Sequence, residues 1–198
     1  MVCQSCDKVN LSNESGQGDL VVGEARAAGP SAADSWQCCL VGRTERNVVI
    51  VPSLFEFAGG EVALHRLEAT FYASVLADPL LQPLFGAGRP HHVDHLTWFT
   101  AESFGGPDRF SREVGFQHLI DAHRGLKITE DQRQRFVDLY RRALDTANMP
   151  EDPEFRAAVM EHVEFGTLVA MQNSNAACDE QLHPIRDVPR WTWSGDDH

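Results

Sequence analysis

An all-α domain is what this sequence predicts, and three observations carry the prediction. From Glu61 to about Asn173, large apolar residues recur at the three- and four-residue spacing of a buried helix face. Helix boundaries are marked by Asp78-Pro79, Gly105-Gly106-Pro107, Thr129 with Gln132, and Asp152-Pro153. No strand pairs and no internal repeats are visible.

The elements follow in order. Residues 1–55 read as an N-terminal extension. The stretch from Asn10 to Ser35 is rich in Gly, Ser, Ala and Asn. It buries too little surface to offset its ordering entropy, so disorder is expected there. Val48 to Phe57 is apolar and reads either as one strand or as a short pre-helix, and Gly59-Gly60 reads as a break. Val62, Leu64, Leu67, Phe71, Val75 and Leu76 then mark a long helix. It ends at Asp78, because the residue before a proline is pushed out of the α region. Leu80 to Phe85 is a short helical piece, and Gly86, Gly88 and Pro90 form a loop. A second long helix runs from about His91 to Phe104 on Val93, Leu96, Trp98 and Phe99, and the Gly-Gly-Pro run stops it.

Asp108 to Lys127 reads as a looser segment. Thr129 and Gln132 make a capping box for the next helix, whose apolar face is Phe136, Val137, Leu139, Tyr140 and Leu144. Pro153 opens the last helix, with Phe155, Val159, Val163, Leu168 and Val169 running to about Asn173. The domain is therefore expected over residues 56–175, followed by a tail over 176–198. Trp191 and Trp193 are expected to anchor that tail on an apolar surface.

Composition narrows the function. The chain has 198 residues, 42% of them hydrophobic, and a formal net charge of −12. Such a surface repels phosphate backbones, which argues against a nucleic-acid partner. No run of about 18 apolar residues is present, so no membrane span is expected. No basic stretch leads into an apolar one at the start, so the reading is cytoplasmic. Cys3 and Cys6 form a C-x-x-C, but Cys38-Cys39 is not a second one and Cys178 stands alone, which is a poor zinc pattern.

Nucleophile elbows, phosphate loops, dinucleotide fingerprints and H-E-x-x-H are all missing, and the nine histidines stand out instead. His91, His92 and His95 lie at helical spacing and could share a face. A zinc site built on them needs further ligands, and the acid between them, Asp94, is in the wrong motif for hydrolysis. Haem and direct metal binding both remain open on the histidines alone.

A resemblance is more specific. Phe71-Tyr72, the run Asp78-Pro79-Leu80-Leu81-Gln82-Pro83-Leu84-Phe85, Gly105-Gly106-Pro107, and Ala122-His123 leading to Lys127-Ile128-Thr129 occur in an order and spacing similar to truncated haemoglobins. Residues 61–173 most resemble the bacterial group II branch. The resemblance implies a two-over-two helical sandwich holding haem b.

It also implies roles. His123 matches the proximal iron ligand. Tyr72 matches the distal tyrosine, whose hydroxyl can donate to a bound diatomic ligand. His92 matches the distal-gate position, where many members carry a small residue, and His91 or His95 takes that place if the register slips. Phe85 matches the residue that wedges against the macrocycle. Leu96 and Phe99 share the His92 face and are expected in the distal pocket, with Leu119 and Leu126 on the proximal side. Phe136 stands where group II proteins usually carry a tryptophan, so that donor is lost. His95 and Arg124 are the candidates for holding the haem propionates, with Arg89 and Lys127 behind them.

The implied function is reversible binding of O2, CO or NO, with NO detoxification or peroxidase-like chemistry as further activities. Those activities need electrons, and the chain shows no flavin or nicotinamide domain, so a separate reductase is expected. Whether the protein is an enzyme stays open. The competing expectation is a globin-shaped interaction module that does not retain haem.

Overall fold

Ser53 starts the first helix of the computed structural model, which describes residues 51–193. The expectations for residues 1–50, including those for Cys3, Cys6, Cys38 and Cys39, lie outside the described residues. Among the described residues every regular element is helical. Helix α1 (Leu54–Phe57) is set by a capping box. The Ser53 hydroxyl accepts from the Glu56 amide at 3.2 Å, and the Glu56 carboxylate accepts from the Ser53 amide at 2.9 Å. Of the two readings of Val48 to Phe57, the described part is therefore the pre-helix.

Helix α2 (Gly60–Ala77) begins after Gly59, whose φ of 96° makes the break. Leu64, Leu67, Phe71 and Val75 carry its buried face. Val62 was expected on that face and is instead 80% exposed, because it lies outside the stripe that those four residues define. Asp78 closes α2. Its carboxylate accepts from the amides of Leu80 and Leu81 at 2.9 and 3.2 Å and pairs with Arg135 at 2.9 Å. Those partners outweigh its desolvation and hold its pKa below the usual aspartate value.

Helix α3 (Gln82–Phe85) and helix α4 (His92–Ser103) follow as expected. The segment 108–127 is more regular than its sequence suggests. It forms α5 (Arg109–Glu113) and α6 (Phe116–His123), separated by Gly115 at φ 83°. Neither helix has a side-chain cap, and both are too short to show a sustained apolar period. Helix α7 (Glu130–Thr146) has the expected Thr129–Gln132 capping box. Helix α8 (Pro153–Asn175) starts with the Asp152 carboxylate accepting from the Phe155 amide at 2.9 Å. Leu168, expected on the buried face of α8, is half exposed.

The packing has two pairs. Helix α2 lies against α4, α7 lies against α8, and α2 also packs on α7 so that one pair meets the other. Helix α6 packs on α8. The main core runs through Leu64, Leu67, Phe71, Phe104, Leu144 and Phe155. A second apolar cluster joins Phe110, Phe116 and Ile120 to Leu182 and Val188. The tail closes over these layers. Trp191 is buried and its amide donates to the Ser103 carbonyl at 2.8 Å. Trp193 sits edge-on to Phe57 at 4.7 Å, and its indole N–H donates to the Pro52 carbonyl at 2.6 Å. No described helix is long and apolar enough to cross a membrane.

Candidate functional site

Helix α6 ends on His123, and that end gives the histidine its geometry. Its Nδ1 lies 2.8 Å from the carbonyl of Leu119, one turn earlier. A carbonyl can only accept, so Nδ1 carries the proton and the Nε2 lone pair is left for another partner. Burial lowers the His123 pKa, with the Leu119 bond acting the other way, so the neutral ring is favoured. The ring lines a partly open cleft with Phe99, Phe116, Leu119, Ile120 and Phe165. Gly166 of α8 also lines it, and a β-carbon there would meet nothing within 4 Å.

A second group of side chains gathers around Tyr72. Its hydroxyl lies 3.2 Å from His92 Nδ1 and accepts from the Arg89 amide at 3.2 Å. Phe85 packs edge-on to the Tyr72 ring at 6.0 Å and against His92 at 5.5 Å. The Arg89 amide can reach the hydroxyl because Gly88 precedes it. Gly88 has φ 85°, and a β-carbon there would sit 3.1 Å from Leu76 and 3.3 Å from the Tyr72 oxygen. Burial above all, then repulsion from His95, Arg89 and His123, pushes the His92 pKa down to about 4. His92 is therefore neutral near pH 7.

The other expected pocket residues divide between the two apolar clusters. Phe85, Leu96 and Phe136 pack on the main core, with Phe136 edge-on to Phe71 at 4.6 Å. Phe99 and Leu119 pack on the second cluster and line the cleft. Leu126 does not line it. The chain leaves α6 at Arg124, turns through Gly125 at φ 75°, and leaves Leu126 38% exposed. Arg124 is already paired, with Asp179 at 2.6 Å and Asp121 at 3.6 Å. His95 lies against His91 and Trp98. Lys127 Nζ reaches the Asn175 carbonyl at 3.4 Å. No group of three or more His, Cys, Asp or Glu side chains that could hold a metal ion is found among the described residues. Direct metal binding at His91, His92 and His95 therefore gains no support.

Two buried polar residues were missed in the sequence. Glu68 lies wholly buried on α2, accepting from Thr100 at 2.9 Å and Tyr140 at 2.6 Å through one carboxyl oxygen. Burial raises its pKa to about 7 against the opposing effect of those bonds. His162 lies on α8 and lines the same cleft as His123. Its Nδ1 is buried with no hydrogen-bond partner among the described residues, a state that costs about 1–3 kcal/mol. Both residues were legible as polar interruptions of an apolar stripe: Glu68 stands four residues from Leu64 and from Tyr72, and His162 adjoins Val159 and Val163.

Two stacked helix pairs, with a lone-pair-bearing histidine in an apolar cleft on α6 and a buried tyrosine on α2, define a globin of the short, two-over-two kind. The chain belongs to the bacterial-like globin family, whose model matches residues 53–169. It is similar to the group 2 truncated hemoglobin YjbI of Bacillus subtilis, 29% identical over 86 residues that make up 43% of this chain and 65% of that one. The match thus spans a little under two thirds of that relative's length. A solved hemoglobin from Chloroflexus aurantiacus is 31% identical with a TM-score of 0.56, covering 64% of this chain and all (100%) of that one. The group II truncated hemoglobin from Bacillus anthracis is 25% identical with a TM-score of 0.57, covering 66% and 98% respectively.

Membership implies haem as the bound group, and the residues present fit it. The cleft is lined mainly by apolar side chains, and Gly166 leaves open space on one wall. His123 offers one ring nitrogen while the other is held, the arrangement that a metal-ligating imidazole needs.

Proposed function

We propose that this domain binds haem b through His123 and takes O2, CO or NO on the opposite face, beside Tyr72 and His92. The observation that carries the reading is the His123–Leu119 bond, which fixes the proton on Nδ1 and keeps Nε2 free. When bound, haem would supply a redox-active iron able to take a small diatomic ligand. Phe85, Leu96 and Phe136 wall the distal side in this reading and Leu119 the proximal side, while Phe99, expected distally from its helical spacing, lines the His123 cleft.

The distal donors follow from counting hydrogens. Tyr72 has one proton and two lone pairs, and the Arg89 amide fills one lone pair. Neutral His92 carries one ring proton. With that proton on Nδ1, His92 donates to Tyr72, and the tyrosine O–H is left for a ligand. With it on Nε2, Tyr72 donates to Nδ1, and the histidine N–H is left instead. Either tautomer leaves this pair one spare donor. Phe136 adds none.

Retention of O2 by a distal donor suits ligand holding and NO chemistry better than bulk delivery. Conversion of NO and O2 to nitrate consumes one electron per turnover, which a separate reductase supplies. A cytoplasmic setting belongs to the same reading. The test is the visible spectrum of the haem-reconstituted chain, oxidised, reduced, and reduced with CO, beside His123→Ala. A sharp Soret band that shifts at each step and is lost or broadened in the variant is expected. A chain that takes up no haem sinks the reading and leaves a globin-shaped interaction module.

A further inference from the structure

His162 lines the cleft, and its Nδ1 is buried with no hydrogen-bond partner among the described residues. The residue is 5% exposed. Its ring lies against Phe99 at 5.7 Å, Phe104 at 5.1 Å and Trp191 at 5.8 Å. Burial drives its pKa down to about 4, so it is a neutral imidazole with one N–H and one lone pair near pH 7. A phenylalanine would suit these aromatic neighbours without leaving a buried nitrogen unpaired. The cleft therefore carries a hydrogen-bonding group at a cost to the empty fold, and its occupant is what can repay that cost.

Haem b presents an apolar macrocycle, an iron and two propionate carboxylates. In the reading above, which this inference rests on, His123 takes the iron. Arg124, which follows His123 in the chain, is engaged by Asp179 and Asp121. We propose that His162 is a haem-recognition residue whose ring N–H donates to a propionate carboxylate when haem fills the His123 cleft.

The test compares wild type with His162→Phe and His162→Gln, all as full chains. Each is melted without haem at pH 7.5, then titrated with haem and with haem dimethyl ester, whose carboxylates are blocked. His162→Phe is expected to melt higher than wild type when empty, yet to bind haem about tenfold more weakly, the scale of one charge-assisted hydrogen bond. With the dimethyl ester the two should bind alike. His162→Gln, which keeps an N–H donor, should recover part of the haem affinity.

Equal haem affinity in wild type and His162→Phe overturns the proposal. So does a penalty that persists with the ester, since the partner is then not a carboxylate. If His162→Phe does not fold, the glutamine variant decides. Its preference for haem over the ester must be smaller than that of wild type, and an unchanged preference overturns the proposal. Normal haem uptake by wild type with no His162 effect defeats this inference alone. Failure of wild type to take up haem defeats the haem reading and this inference together.

Discussion

Tyr72 and Glu68 lie one turn apart on α2, and each makes a prediction at the scale of a single side chain. If Tyr72 lends a donor to a bound ligand, Tyr72→Phe should release O2 roughly ten- to a hundredfold faster, the equivalent of losing one charge-assisted hydrogen bond. Stopped-flow release by CO displacement reads this directly, and an unchanged rate removes Tyr72 from the distal role. Glu68 governs pH dependence. Its folded pKa of about 7 stands above the unfolded value of 4.5, so the folded state holds the proton more tightly. Its favourable contribution is complete below about 4.5 and is lost as pH rises through 7, by an amount on the order of a few kcal/mol. His92 and His162 act oppositely: lowered to about 4 by desolvation, they favour the fold above 6.5 and lose that effect as pH falls. Glu68→Gln should therefore steepen the gain in melting temperature between pH 5 and 7 relative to wild type. An identical slope would show that Glu68 does not titrate in that range.

At the scale of the element, local chemistry decides what could be read in advance. The Thr129 capping box and the Asp152-Pro153 start act over three or four residues, so α7 and α8 begin where the sequence says. Thr129→Ala should cost about 1 kcal/mol, measurable as a lower urea midpoint with an unchanged slope. The Ser53–Glu56 box in α1 carries the same signal and was legible, but the apolar run around it suggested a strand as readily. Helices α5 and α6 were not legible. They are five and eight residues long and held by packing rather than by caps. The candidate site divides the same way. Tyr72, Phe85 and His92 meet because the blocks that carry them are close in sequence and end in strong breakers. The exposure of Leu126 follows from a left-handed turn at Gly125 that helical spacing does not record. His162 and Glu68 went unread because a polar residue on an apolar stripe counts against the pattern that reveals the stripe.

For the molecule as a whole, the tail matters more than its composition implies. Trp191 belongs to the main core. The indole of Trp193 donates to Pro52 across a separation of 141 residues. That single hydrogen bond turns an open chain into something close to a loop, with the first and last described turns buckled together. Fraying at one end is then not independent of fraying at the other. Trp193→Ala should speed amide hydrogen exchange in Leu54 to Phe57, at the far end of the sequence, more than in the middle of α2. The beginning of this fold is thus held in place by its end, and a change to the last few described residues should be felt first at the opening turn.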